Sequence, residues 1–126
     1  MSYEEFPNAY KWQRPLDPSN IAPYVCHFRH ATKPMLDPLE KITSFTVTLS
    51  ENALLQGLQL GDGSYAPTTY MNGSGVKIWL KVDPTKQGNV LFNCDGLWLP
   101  VTFKVVTDAN PANTYEATCA VRVVQN

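Results

Sequence analysis

The stretch VKIWLKV, residues 76–82, alternates between aliphatic side chains and larger or charged ones. Successive side chains of a β-strand point to opposite faces of a sheet, so this alternation predicts a strand with one buried face. The four aliphatic residues share that face, and Trp79 lies on the opposite face between two lysines. The largest apolar side chain of the strand is therefore predicted to lie outside the core, where another group must cover it or bind it.

Other stretches share this two-residue period or are rich in β-branched residues, which favour strands. Turn residues at GDGS (61–64) and NGSG (72–75) separate them, because Gly and Asn tolerate the backbone of tight turns. Residues 52–60 are ambiguous; they could form a helical turn leading into a short strand, and Gly57 weakens a helix. The further predicted strands are YVCHFRH (24–30), ITSFTVTLS (42–50), VLFNC (90–94), LWLPVTFKVVT (97–107) and YEATCAVRVV (115–124).

About seven short strands with turns between them predict an all-β fold, namely an antiparallel Ig-like β-sandwich. A small barrel is the alternative. No long helical crossovers separate the strands, which argues against a parallel α/β sheet. The length of 126 residues suits one domain. We predict a sandwich over residues 24–126, preceded by an extended N-terminal arm over residues 1–23.

The predicted arm combines four prolines with four aromatic residues. Proline disfavours regular strand pairing, and aromatic residues are uncommon in disordered tails. We therefore expect the arm to lie on a surface, either on its own domain or on a neighbouring subunit. The candidate residues for a protein interface are Tyr3, Phe6, Tyr10 and Trp12.

Charge and composition disfavour several classes of partner. Ten Lys and Arg against eleven Asp and Glu give a formal net charge of −1, which supplies no general attraction to nucleic acid or to an anionic membrane. The opening MSYEEFPNAYKWQRP has no apolar core of a signal peptide, so we expect folding in the cytoplasm. There the three cysteines are expected to remain thiols; the alternative is a disulfide between Cys26 and Cys119, which both fall on predicted inward faces.

No motif for catalysis, a cofactor or a metal emerges from the sequence. The glycine-bearing turns open no helix, as a phosphate site would require, and no nucleophile elbow occurs. Cys26, His27 and His30 are close in sequence, but in a strand His27 points away from the other two. We therefore expect a protein that is not an enzyme and that holds no cofactor or metal.

Trp79 and Trp98 are candidates for packing or for an interface. We rank packing within the chain first, contact with another protein second and stacking on a sugar third. For Trp79 we expect the N-terminal arm to supply the cover, through Tyr10 or Trp12, with the stems of the flanking lysines beside the ring.

Read in order, the motifs resemble a family of small Ig-like structural proteins of tailed phages, the fibre–tail adaptor or neck-associated proteins. The resemblance extends from about Lys11 to Val123. It rests on an Asp-Pro turn before a Tyr-initiated strand, an I-x-S-x-T-V strand, a V-x-V-W-L strand and a threonine-rich ending. These lie in KWQRPLDPSNIAPYVCHF (11–28), KITSFTVTLS (41–50), VKIWLKV (76–82) and VTFKVVTDANPANTYEATCAVRV (101–123).

The resemblance implies a virion component, assembled in the cytoplasm of a bacterial host, that acts as an adaptor at the head–tail neck or where tail fibres attach. Its implied partners are other virion proteins, such as portal, adaptor, tail or fibre subunits, in multiple symmetric copies. No nucleic acid or membrane partner is implied. A capsid decoration protein and a carbohydrate-binding sandwich remain the alternative functions.

Overall fold

The computed structural model describes residues 10–28, 36 and 39–125. Within these residues the regular elements are eight strands, one short α-helix and three 3-10 helices. The strands are β1 (Tyr10–Lys11), β2 (Ala22–His27), β3 (Ile42–Leu49), β4 (Leu58–Leu60), β5 (Thr68–Tyr70), β6 (Gly75–Val82), β7 (Leu97–Thr107) and β8 (Thr114–Val123); the helix α1 is Glu51–Leu55, and the 3-10 helices are Gly63–Tyr65, Pro84–Lys86 and Val90–Phe92. No helix among these described residues is long and apolar enough to cross a membrane.

The strands form two sheets that pack as a sandwich, which confirms the predicted all-β class. The first sheet has the order β1-β8-β7-β3, and the second has the order β2-β6-β4 with β5 also paired to β6. Constant-type immunoglobulin sandwiches place strands B, E and D in one sheet and C, F and G in the other. The order β2-β6-β4 corresponds to B-E-D, and β3-β7-β8 corresponds to C-F-G, so the pairing order is Ig-like.

The first sheet is mixed rather than purely antiparallel. Strand β1 runs parallel to β8, with Tyr10 opposite Cys119, and Leu16 forms a further parallel bridge with Val123. The Leu16 amide donates to the Arg122 carbonyl at 2.8 Å. A two-residue strand is too short to show a period, which is why the sequence did not predict β1.

The core lies between the sheets and takes one face of each long strand. In β6 the alternation predicted from VKIWLKV is confirmed, with its aliphatic face fully buried and its other face half-buried. Strand β7 has the predicted bounds, and its inward residues are also buried. The core includes Val76, Ile78 and Leu80 of β6, Leu99, Val101, Phe103 and Val105 of β7, and Val121 and Val123 of β8.

One predicted strand and one predicted boundary need correction. The stretch 90–94 is not a strand: Val90–Phe92 is a 3-10 helix, whose start is capped by the Asn89 side chain accepting from the Leu91 amide at 3.0 Å. A five-residue apolar stretch carries too little periodicity to exclude a helical turn. The boundary predicted after residue 23 falls inside β2, because residues 10–22 already contribute strand pairing and core side chains.

Residues 52–60, which were ambiguous in sequence, form a helical turn that leads into a short strand, as predicted. Ser50 caps α1 by accepting from the Ala53 amide at 3.0 Å, and Gly57 then takes a positive φ of 93° before β4 begins. Positive φ is accessible to glycine at little cost, so Gly57 allows the chain to turn from the helix into the strand.

Candidate functional site

Trp12, one of the four predicted interface residues, is a core residue of its own domain. Its side chain is 6% exposed. The ring centroid lies 4.9 Å from that of Tyr24 and 6.1 Å, edge-on, from that of Phe103. The indole N–H donates to the Val25 carbonyl at 2.8 Å, so the polar end of the ring is also satisfied inside the fold. The prediction that Trp12 contacts a partner is therefore corrected. The Trp12 side chain packs between the two sheets, against Tyr24 of β2 and Phe103 of β7.

The other predicted interface residues differ in position. Tyr10 lies in β1 and is 54% exposed, so it is accessible to a partner. Tyr3 and Phe6 lie outside the described residues. Of the predicted arm, the structure therefore leaves Tyr10 as an accessible aromatic and assigns Trp12 to packing.

Trp79 is covered by its own chain, but not by the segment that the sequence suggested. Tyr65 meets it edge-on, with ring centroids 5.0 Å apart, and the Lys77 ammonium lies 5.4 Å from the Trp79 ring centroid. A Cβ at Gly61 would lie 2.5 Å from the Tyr65 Cβ and 3.2 Å from the Trp79 Cβ. Gly61 thus makes room for Tyr65 to fold against Trp79, and neither Tyr10 nor Trp12 is needed as cover.

The same outer face continues as a row of ring and lysine side chains, which we call the outer-face row: His27, Tyr70, Lys77, Trp79 and Tyr65. Both His27 and Tyr70 pair with Gly75 of β6, one from each side. The two rings approach each other there, with centroids 6.1 Å apart. Lys77 lies between the two ring pairs, with its ammonium 5.9 Å from the Tyr70 ring centroid and 5.4 Å from that of Trp79.

Trp98 is half-buried on the outer face of the first sheet. The ammonium of Lys11, in β1, lies 4.5 Å from its ring centroid. A cation over a tryptophan face is attracted by the ring quadrupole, so this contact helps to hold β1 against β7 and β8. Trp98, like Trp79, thus has a lysine over its ring, and both satisfy the packing interpretation.

Four exposed aliphatic side chains lie on two segments at one end of the sandwich, and the sequence pattern did not indicate them. We call them the apolar end cluster: Leu54, Leu55, Val90 and Leu91, which are between 48% and 75% exposed. The Asn89 amide donates to the Gln56 side-chain oxygen at 2.6 Å, which holds the two segments next to each other.

Local structure explains why these four side chains face solvent. Helix α1 has only five residues, and its buried side chain is Ala53, so the adjacent leucines turn outward. In the 3-10 helix that follows Asn89, Phe92 is buried and the two residues before it are exposed. The adjacent leucines of NALLQ could have indicated this exposed apolar surface from the sequence, because a single short helical turn cannot bury two neighbouring side chains.

Polar side chains at the opposite end of the sandwich hydrogen-bond to one another and hold strand ends together. The buried Glu40 carboxylate accepts from the Thr107 hydroxyl, from the Asn113 amide at 2.8 Å and from the Tyr115 hydroxyl at 3.2 Å. These residues flank β3, β7 and β8, so the carboxylate ties three strand ends together. Its donors lie at the end of β7, in the connection that follows and at the start of β8, so the carboxylate holds that connection in place.

The arrangement shows little that supports catalysis. Within the described part of the chain, no group of three or more His, Cys, Asp or Glu side chains is placed to hold a metal ion. A shallow cleft of about 250 Å³ lies beside β4 and β6, and the one charged side chain in its lining is Lys81. The backbone and hydroxyl bonds from Thr85 lower the pKa of Asp83, but this carboxylate is exposed and caps a 3-10 helix.

The cysteines are free thiols. Cys26 and Cys119 are buried, one in each sheet, and Cys94 is exposed. Contact with the Cys26 thiol, together with burial, raises the pKa of Cys119. The expectation of three thiols is therefore met in the structure, which places Cys26 and Cys119 next to each other without a bond between them.

Comparison of the chain with protein-family models, with curated proteins and with solved structures found no match in any of the three.

Proposed function

We propose that the chain is a non-enzymatic structural subunit of a bacteriophage particle, an adaptor that binds neighbouring virion proteins at the head–tail neck or where tail fibres attach. The family resemblance of the sequence supports the phage assignment. The apolar end cluster supports the binding role, and it is the observation that carries the proposal.

Exposed aliphatic residues are common singly on protein surfaces, but a group of them is typical of an interface. The apolar end cluster gathers four aliphatic side chains on two short helical turns. Both turns are capped and joined by a side-chain hydrogen bond, so the surface is formed before any partner binds. A preformed surface loses little conformational freedom on binding, which favours tight association.

Carbohydrate binding receives less support from the same structure. A sugar-binding platform needs an accessible ring face, and both candidate tryptophans have a lysine ammonium over the ring. Trp79 is also in edge contact with Tyr65. A decoration protein on the capsid would use a protein interface of the same kind, so it remains the alternative location for the same binding role.

Incorporation into particles tests the proposal. In a phage that carries this gene, we would delete the gene and supply either the Leu55→Asp or the Met71→Asp variant. Both positions are 65% exposed, but Met71 lies in the turn that contacts the start of β3, at the opposite end of the sandwich. Leu55→Asp is expected to lower incorporation at least about tenfold, a loss of about 1.4 kcal/mol in binding. Met71→Asp is expected to incorporate like the wild type.

Circular dichroism of both purified variants would show that each is folded. Equal incorporation of the two folded variants would overturn the assignment of the apolar end cluster as the contact surface.

A further inference from the structure

Most sheet edges in the described part of the molecule are covered or short. On the free edge of β2, the Trp12 indole donates to the Val25 carbonyl, and the Arg14 guanidinium donates to the Pro23 carbonyl. On the edge of β8, the N-terminal segment pairs in parallel. Strands β4 and β5 have three residues each. Proteins generally protect exposed edges in these ways, because an open edge can pair with another chain.

Strand β3 is the exception. It pairs with β7 on one side, and residues 44–49 make no hydrogen bond on the other side within the described residues. The strand contains no charged residue and no proline, which are the usual protective features. A β-bulge between Ile42 and Ser44 interrupts the register at its start, and the remainder pairs regularly. An open, regular and uncharged edge of this length is suited to strand addition.

We propose that β3 pairs antiparallel with β3 of a second copy of this chain about a two-fold axis through Thr46. The two four-stranded sheets would then form one continuous sheet of eight strands. Such an interface is isologous, because each copy contributes the same strand. The proposal concerns the free chain in solution and does not depend on the phage role.

The side chains of β3 match each other in this register. With Thr46 opposite Thr46 of the second copy, Phe45 faces Val47 of the second copy, and the reverse pair repeats by symmetry. Phe45 and Val47 are half-buried on the core side. An aromatic residue opposite a β-branched one is a favourable cross-strand pair, and each would cover apolar surface that the single sheet leaves accessible. Thr46 is exposed on the outer side, where threonine pairs are also favourable.

Charge at the two ends of β3 favours the antiparallel pairing. Lys41 precedes the strand and Glu51 follows it, and both side chains are exposed. Antiparallel pairing about Thr46 places the end of β3 that carries Lys41 in one copy beside the end followed by Glu51, the first residue of α1, in the other, and symmetry repeats this arrangement. A shift of one residue would instead place Phe45 opposite Thr46, and so set a core-facing side chain against a solvent-facing one. The hydrophobic pattern therefore excludes a one-residue shift, and the opposite charges at the two strand ends favour the antiparallel pairing.

Sedimentation equilibrium of the full chain tests the association. We expect a species of twice the 14.1 kDa chain mass that dissociates on dilution. Thr46→Lys places two ammonium groups opposite each other on the axis and is expected to give a monomer. The control Thr68→Lys adds the same charge to an exposed threonine of β5, in the other sheet, and is expected to leave the dimer intact.

Two results would overturn the proposal. One is a wild-type chain that stays monomeric at every concentration at which it remains dissolved. The other is a folded Thr46→Lys variant, with an unchanged circular dichroism spectrum, that still dimerises as the wild type does.

Disulfide trapping tests the register. In a Cys94→Ser background, Thr46→Cys places two thiols opposite each other on the axis. Oxidised glutathione would accept two electrons from them, release two molecules of reduced glutathione and leave one bond between the copies. Thr48→Cys is the matched control, because the two new thiols would lie about 13 Å apart along the strands. Cross-linking of Thr46→Cys alone supports the register, and cross-linking of Thr48→Cys alone, or of neither variant, contradicts it.

Discussion

Replacing Trp12 by alanine tests whether the segment before β2 is part of the folded core. The side chain is 6% exposed, packs on Tyr24 and Phe103 from different strands, and donates one hydrogen bond to the Val25 carbonyl. Truncation of a buried tryptophan removes apolar contact and leaves a cavity, which costs about 3–5 kcal/mol. The loss also leaves the Val25 carbonyl without its indole donor, which places the expected value toward the upper part of that range.

The assay is urea unfolding followed by far-ultraviolet circular dichroism, because tryptophan fluorescence would change with the substitution itself. Trp98→Ala is the matched control. That ring is half-buried under the Lys11 ammonium, so its removal is expected to cost about 1–2 kcal/mol. A Trp12→Ala variant as stable as the wild type, or more stable than Trp98→Ala, would refute the assignment of Trp12 to the core.

Three further outcomes follow from particular contacts. A double-mutant cycle of Tyr65→Ala and Trp79→Ala is expected to give a coupling free energy of about 0.5–1.5 kcal/mol, and additive losses would contradict the observed ring contact. Titration of the native chain with a thiol reagent is expected to modify Cys94 rapidly and the two buried thiols only after unfolding; rapid modification of all three would contradict their burial. Hydrogen bonds from Thr85 lower the pKa of Asp83 in the folded state. The stabilising effect of the Asp83 carboxylate is therefore present above its ordinary pKa of 3.8 and is lost as the pH falls through the lower folded value. The unfolding free energies of wild type and Asp83→Ala should thus differ at neutral pH and converge in strong acid.

The long strands could be predicted from the sequence because their side-chain period is local. Strand β7 has the predicted bounds, and β6 begins one residue before its predicted start. Each has apolar residues on one face over at least seven positions, a pattern that a helix would scatter around its axis. The number and spacing of such strands predicted the β-sandwich, whereas the order of strands within each sheet came from the structure.

Segments whose structure depends on distant contacts could not be predicted in the same way. Residues 10–16 have no periodicity of their own, and their place beside β8 is set by Trp12 and Leu16 entering the core. Their aromatic and proline content predicted a segment that lies on its own domain or on a neighbour, and the structure pairs residues 10, 11 and 16 with β8. This composition could not indicate that the segment would pair with β8 and place side chains in the core of its own sandwich.

The covering of Trp79 illustrates a second limit. The alternation of β6 placed the ring on the outer face, and the structure agrees. The partner, Tyr65, follows a turn that was interpreted only as a connection. Its approach depends on Gly61, whose missing side chain opens the space. The apolar end cluster was missed for a related reason, because the stretch containing Val90 was assigned to a strand that the structure replaces with a 3-10 helix.

The presence of the chain in purified phage particles tests the proposed function most directly. Quantitative mass spectrometry of particles from a phage that carries this gene would measure the number of copies of the chain relative to known structural subunits. We predict a constant, multiple copy number that survives extensive purification of the particles. Absence of the chain from infectious particles that were assembled while it was abundant in the host cell would contradict a structural role.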